Sequence, residues 1–325
     1  MLQSWQRLKA PSAQTYSEAA REVERFVAVV GNKPLHAITH ADIEAYKAAR
    51  VAGIKLATMN KNLTMLSALL GHAITTNLCP LLKNPFTGAK YASKAVNRDR
   101  VHRRDAYSSD QLNLLLHSPV YLDGYRPACG GGEAAYWLPL LGLMTGARLE
   151  DLCRIRPDDA FQREKVWCLR LHDSKRESRL GATAVMRDVP LHDGLLRAGF
   201  LDFVAQRRRL APAERLFPEL TRNARGKYGK RFGDWYGRYI DHIGLDDPSL
   251  DFHSLRHSFE AFCAESGLSA EDTDALLGHA PDADYGRNED GEKRRPFSAL
   301  VKAVRKLRFR GVAMAHLFAA AAQVR

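Results

Sequence analysis

Apolar residues recur every three or four positions through the first part of the chain. Tyr16, Ala19, Ala20, Val23, Phe26, Val27 and Val30 fall on one helical face, so the spacing predicts a helix over 12–31, ended by Gly31 and Pro34. Thr39 and Asp42 form a capping-box pair that opens a second helix through about Arg50. Leu63, Leu66, Leu69, Leu70 and Ala73 predict a third over 57–77, and Asn84-Pro85 breaks the pattern. Residues 1–87 therefore read as an all-α module. The pattern then changes character. Lys90, Lys94, Arg98, Arg100, Arg103 and Arg104 face a single Asp99, with little apolar periodicity. Residues 88–105 read as a basic linker, either a solvated tether or a strap along a phosphate backbone.

From 106 to 325 the pattern predicts a mixed domain. Ser108 and Gln111 cap a short helix, and residues 133–145 are almost wholly apolar, as a buried central helix requires, with Pro139 predicting a kink. Val166–Leu171 and Ala184–Leu191 read as strands joined by a polar stretch. Helices follow near 194–209, 228–243, 254–266 and 270–277. The C-terminal stretches from Phe297 and from Gly311 read either as an element exchanged with a neighbour or as helix packed on its own domain. The fold class is thus mainly α, with a small antiparallel β-sheet (α+β) in the second domain and an all-α first domain.

Charge narrows the function. A net charge of +12 suits a polyanionic partner. Apolar runs are too short to span a membrane. Five scattered cysteines without a Cys-x-x-Cys pair argue for a reducing cytosol and against structural zinc.

Candidate chemistry lies in the second domain. Arg148, in Thr145-Gly-Ala-Arg-Leu-Glu-Asp151, either pairs with Asp151 structurally or is held by it while presenting a planar fork to phosphate. His253, Arg256 and His257 share a helical face. Zinc is disfavoured there, because Arg256 would repel a cation and no third ligand follows. Leu277-Gly-His279 ends a helix and leaves His279 at a loop entrance, and Tyr285 follows in a polar, turn-rich segment.

These pieces resemble the tyrosine recombinase (phage integrase) family. The match rests on Thr145-Gly-Ala-Arg148-Leu-Glu-Asp151-Leu, His253-Ser-Leu-Arg256-His257, Leu277-Gly-His279 and Tyr285-Gly. In the first half, Ile38–Tyr46, Thr58-Met-Asn-Lys-Asn62-Leu and Asn84-Pro85 look like the helical core-binding domain of these enzymes. The resemblance implies a site-specific recombinase or integrase of a phage or other mobile element. It would cleave and rejoin strands through a 3′-phosphotyrosyl intermediate, without metal, ATP or other cofactor. Tyr285 would be the nucleophile, Arg148 and Arg256 the phosphate clamp, and His253 and His279 would complete the pocket, with His257 secondary. A phenol is a poor nucleophile at neutral pH, and nearby arginines favour its ionised form. The implied partners are double-stranded DNA sites, two or four protomers on paired sites and an accessory DNA-bending protein, in a cytoplasmic, nucleoid-associated setting. DNA contacts would come from Arg50, Lys55, Lys61, Lys90, Lys94, Arg98, Arg100, Arg103 and Arg104, with the two domains forming a C-shaped clamp.

Two departures qualify the match. Arg187-Asp-Val-Pro-Leu191 matches the stretch that usually follows the family's hairpin lysine, yet residues 181–186 contain none. Lys175 is the candidate acid for the leaving oxygen, with Arg176 and Arg179 as fallbacks; a solvated hairpin charge is the alternative. The His279–Tyr285 spacing is also short for the family. A DNA-binding protein that has lost cleavage on the same fold is therefore the competing expectation.

Overall fold

The computed structural model describes residues 1–81, 83–99, 105–172, 186–279 and 295–318. The chain divides into two compact units, one ending at Arg103 and the other starting at Arg104.

The regular elements among the first unit's described residues are all helices. It comprises α1 (Leu2–Lys9), α2 (Ala13–Val30), α3 (His40–Val51), α4 (Leu56–Thr75) and α5 (Ser93–Asp99). The capping box at Thr39 forms as the pattern predicts, its hydroxyl accepting from the Asp42 amide. Ile43, Tyr46, Met59, Leu63, Leu66, Leu70 and Phe26 make the core. Glu22 is buried among them, where its carboxylate accepts the Tyr46 hydroxyl and pairs with Arg25 at 3.0 Å. Two elements escaped the periodicity. Helix α1 lies ahead of the first predicted helix, and α5 occupies part of the stretch expected to lack regular structure. What holds the approach to α5 is distant in sequence: the Asn60 side chain donates to the Tyr91 carbonyl (2.9 Å) and accepts its amide (2.8 Å), and Val96 is buried.

The second unit opens with α6 (Ser109–Leu116) and α7 (Pro119–Leu122), then α8 (Ala134–Thr145) and α9 (Leu149–Cys153). Every residue of α8 is buried, and the helix continues through Pro139. A three-stranded antiparallel sheet follows, in the order β1 (Ala160–Arg163), β2 (Val166–His172), β3 (Met186–Pro190). The four-residue β1 was not predicted; it pairs with β2 across a tight turn in which Glu164 and Lys165 take positive φ. Then come α10 (Asp193–Arg197), α11 (Phe200–Leu210), α12 (Gly229–His242), α13 (Phe252–Glu265), α14 (Ala270–Leu277) and α15 (Phe297–Lys306). Helix α13 packs on α8, with Phe252, Leu255 and Phe259 in the shared core.

Helix α15 places Phe297 and Val301 against Cys168 of the sheet. The segment beyond it packs on its own unit rather than standing free. Ser109 donates to the Arg310 carbonyl (3.0 Å), Asn113 bonds Gly311 and Ala313, and His316 meets the Leu116 carbonyl at 2.7 Å. Among the described residues no helix is long and apolar enough to cross a membrane.

His192 ties the start of this segment to α10. Its Nδ1 accepts the Gly194 amide (3.0 Å), so Nε2 carries the proton that reaches the Leu307 carbonyl at 3.2 Å. Burial holds its pKa below the ordinary value of 6.5. The folded state therefore takes up this proton less readily than the unfolded chain. The stability it contributes is present above about pH 6.5 and is lost as pH falls below it. Melting of the wild type should thus drop more between pH 7.5 and 5.5 than melting of His192→Asn, which keeps a capping side chain. Equal drops would refute this role.

Candidate active site

Three backbone devices bring the cationic residues together. Gly146 ends α8 in the left-handed conformation (φ 62°), turning the chain so that Arg148 becomes the N-cap residue of α9. Asp251 caps α13, its carboxylate accepting the amides of His253 (2.7 Å) and Ser254 (3.2 Å). This fixes the helix register that sends Arg256 inward. Gly278 ends α14 with φ 68°, and the His279 amide then bonds the Asp274 carbonyl at 2.9 Å.

Arg256 is the hub. It is only 4% exposed, and its Nη1 donates to the Gly146 carbonyl at 2.7 Å while Nη2 lies 2.8 Å from Nε2 of His279. A guanidinium can only donate, so Nε2 of His279 accepts and its Nδ1 carries the proton, which reaches Asp274 Oδ1 at 2.8 Å. His279 is thereby oriented from both sides while staying exposed. Arg148 sits 3.8 Å from Asp151, a carboxylate with no exposure. The structural and phosphate-presenting roles weighed for Arg148 thus share one geometry.

A third guanidinium joins them. Arg187 of β3 donates through Nε to the Leu276 carbonyl at 3.2 Å and lies so close to Gly278 that a Cβ there would meet its Nη1 at 2.7 Å. Nη1 of Arg148 and Nη2 of Arg187 are both buried. Burial pushes the pKa of Arg256 down to about 10, with repulsion from Arg148 and then Arg187 adding to it and Asp151 opposing it. Arg148 and Arg187 thus both repel Arg256, with the buried Asp151 beside Arg148 offsetting part of that repulsion. In the linear chain Arg187 stands only in the stretch that follows the expected hairpin lysine, with no motif there to assign it to the site. The available signal was strand alternation: Arg187 is in phase with buried Val189, an inward position where an arginine needs a purpose.

The remaining candidates are placed less tightly or not at all. The His253 ring stands perpendicular to that of His257, 5.1 Å away, one turn before Arg256. Tyr285, Lys175, Arg176 and Arg179 lie outside the described residues, as do Arg100, Arg103 and Arg104. In the first unit, Lys55, Lys90 and Lys94 are exposed, and Arg98 belongs to α5. Lys61 pairs with Glu18 at 3.0 Å, and the Arg50 guanidinium folds back over the Tyr46 ring, 5.9 Å from its centroid.

No family model matches the chain, and no curated protein does. Solved structures do match. A lambda integrase dimer bound to a COC′ core site superposes with a TM-score of 0.58 at 18% identity, covering 89% of this chain and 97% of that one. The Tn1549 transposon integrase in complex with circular intermediate DNA gives 0.58 at 15% identity, over 99% and 97%. The fold is that of the tyrosine integrases. A lambda integrase tetramer bound to a Holliday junction gives the same TM-score at 19% identity, over 89% of this chain and 79% of that one. Within this integrase fold, the arginine cluster sits where the turn after α8 meets α13, the end of α14 and β3.

Unfavourable cation crowding has a measurable consequence. An oxyanion that enters the cluster relieves repulsion among Arg148, Arg187 and Arg256 and must stabilise the fold. Sulfate at ten times its Kd should add ~1.4 kcal/mol, or roughly 3–5 °C in Tm for a unit of this size. Sulfate also stabilises proteins generally by exclusion. The comparison is therefore the Arg148→Gln/Arg187→Gln variant, whose gain should be clearly smaller. Equal gains would show that no anion enters.

Proposed function

We propose that the chain is a site-specific DNA recombinase that cleaves and rejoins strands through a covalent phosphotyrosyl intermediate. The observation that carries this reading is the buried Arg256 guanidinium, crowded by Arg148 and Arg187 and opening onto the exposed His279. Mutual repulsion within such a cluster favours an anion beside it, and the cluster suits a phosphodiester whose negative charge grows on attack.

The roles divide as follows. Arg148 and Arg256 donate to the non-bridging oxygens, and His279 and His253 complete the pocket. His279 is held by Asp274 with Nδ1 protonated, so Nε2, which accepts from Arg256 in the free protein, is its basic atom and is exposed to substrate once Arg256 turns its donors to the phosphate. The hydroxyl oxygen of Tyr285 attacks phosphorus as its proton passes to an imidazole of the pocket, His253 or His279, the bond to the 5′ oxygen breaks, and that oxygen takes a proton from Lys175. The reverse sequence rejoins the strand and returns both protons, so bond energy is conserved without ATP. Duplex DNA is the substrate, two or four protomers act together on paired sites, and an accessory DNA-bending protein assists their assembly. Lambda and Tn1549 integrases, solved on DNA, share the fold and support the assignment of partner.

The test is a covalent trap. The protein is incubated with a pool of randomised duplexes carrying single nicks, denatured, and the adduct digested and mapped by mass spectrometry. A nucleotide-bearing peptide containing Tyr285 is expected. Duplex binding without any adduct would overturn the catalytic reading in favour of a DNA-binding protein that does not cleave. An adduct on another residue would overturn the assignment of Tyr285.

A further inference from the structure

We infer that the loop over residues 221–228, with the first turn of α12 that follows it, is a second phosphate-binding element, one that grips the DNA backbone beside the scissile phosphate. The inference rests on the function proposed above and extends it to residues that the motif set does not contain.

Between Thr221 and Gly233 stand Arg222, Arg225, Lys227, Lys230 and Arg231, with no acidic residue. The loop is held in one shape by its own contacts. Asn223 accepts the amides of Arg225 (2.9 Å) and Lys227 (3.0 Å) through its side chain, and Gly226 turns the chain at φ 71°. The Arg215 guanidinium lies 3.8 Å from the Tyr228 ring centroid, and Arg222, 5.0 Å from it, donates through Nε to the Tyr228 hydroxyl at 2.7 Å. Arg231 reaches the Thr221 hydroxyl at 2.7 Å, and Lys230 pairs with Asp234. What remains is Arg225, which is exposed, and Lys227, half-buried. Their charged groups make no hydrogen bond or ion pair among the described residues, so five cations share one intramolecular carboxylate partner.

Location supplies the second argument. Glu150, two residues after Arg148, accepts the backbone amides of Tyr228 (3.3 Å) and Gly229 (2.9 Å). Leu149 fills the space beside Gly229, where a Cβ would approach it to 3.0 Å. The loop is therefore bolted to the same turn that presents Arg148. A strand whose phosphate lies on Arg148 must continue past this turn, and duplex DNA carries a negative charge about every 1.7 Å along its axis. Preordering means that little further entropy is lost when the loop meets the backbone. Glu150 acts here as a positioning residue, joining pocket and loop through main-chain amides.

The experiment measures equilibrium binding to a random-sequence 40-base-pair duplex by fluorescence anisotropy, from 50 to 200 mM salt. The variants are Arg225→Gln/Lys227→Gln in the loop and Lys165→Gln/Arg209→Gln, which removes the same charge from exposed positions elsewhere on the unit. Each phosphate contact contributes a slope of about 0.9 in log K against log salt, so the loop pair should flatten it by about 1.8, roughly a tenfold change over this range. The remote pair should keep the wild-type slope. An unchanged slope in the loop pair, or an equal loss in the remote pair, overturns the inference while leaving the proposed function standing. Failure of the wild type to bind duplex at all overturns both.

Discussion

Arg256→Gln should lower the rate of covalent adduct formation by about 10²–10³-fold at saturating DNA, the usual cost of removing one donor from a preorganised oxyanion site. The rate is read in single turnover on the substrate recovered by trapping. A fall of less than tenfold would sink the assignment. Arg256 is singled out over Arg148 because its two donor nitrogens reach acceptors on two different elements, the Gly146 carbonyl after α8 and His279 after α14. Loss of the guanidinium therefore removes a phosphate donor and frees the acceptor side of His279. Stability should move far less than activity. The variant forfeits the bond to the buried Gly146 carbonyl, a cost of about 1–3 kcal/mol if that oxygen finds no new donor. It also removes a cation that burial and two neighbouring arginines disfavour, as the pKa near 10 indicates. The two effects oppose one another, and a glutamine amide can restore part of the bond. A large loss of activity with a Tm close to wild type would mark a residue retained for chemistry at some expense to the fold.

Gly146→Ala carries the largest expected stability effect. Its φ of 62° suits glycine, and a Cβ there would sit 2.6 Å from both Leu277 Cδ2 and Phe259 Cδ1. Backbone strain of about 1 kcal/mol adds to overpacking of about 1–3 kcal/mol, which predicts a Tm lower by roughly 5–15 °C. The damage should spread to the site, because Leu277 precedes the turn that positions His279 and the Gly146 carbonyl anchors Arg256. A drop of under 2 °C in a thermal melt would show that the contact relaxes easily. Gly237→Ala is the contrast. That glycine lies inside α12 with nothing within 4 Å of an added Cβ, so the substitution should stabilise by about 0.5–1 kcal/mol.

Much of this architecture is visible in the linear chain wherever its cause is local. The caps at Thr39, Ser108 and Asp251 are satisfied by partners two or three residues away, so the helix starts can be read directly. The apolar run of α8 announces a helix buried on all sides. Gly278 before His279 announces a helix stop. The mainly helical class with a small antiparallel sheet follows from these signals together. Helix α5, strand β1 and the cationic role of Arg187 did not announce themselves. Helix α5 follows a segment anchored by Asn60, 31 residues from Tyr91, and β1 is a four-residue strand that exists because β2 pairs with it.

The sequence by itself determined which residue types are available and in what order. Arg148, the His253–Arg256–His257 helix face, His279 and Tyr285 were recognisable because motif spacing is a one-dimensional property. Tertiary structure decided which of them touch. Arg256 meets Gly146 across 110 residues, Arg187 reaches Leu276 across 89, and Glu150 holds the basic loop across 79. Contacts of that span depend on how α8, α13, α14 and β3 pack, and packing is a property of the assembled core rather than of any local stretch. For the same reason the third arginine and the loop beside it emerge only from the fold, although every one of their residues stands plainly in the chain.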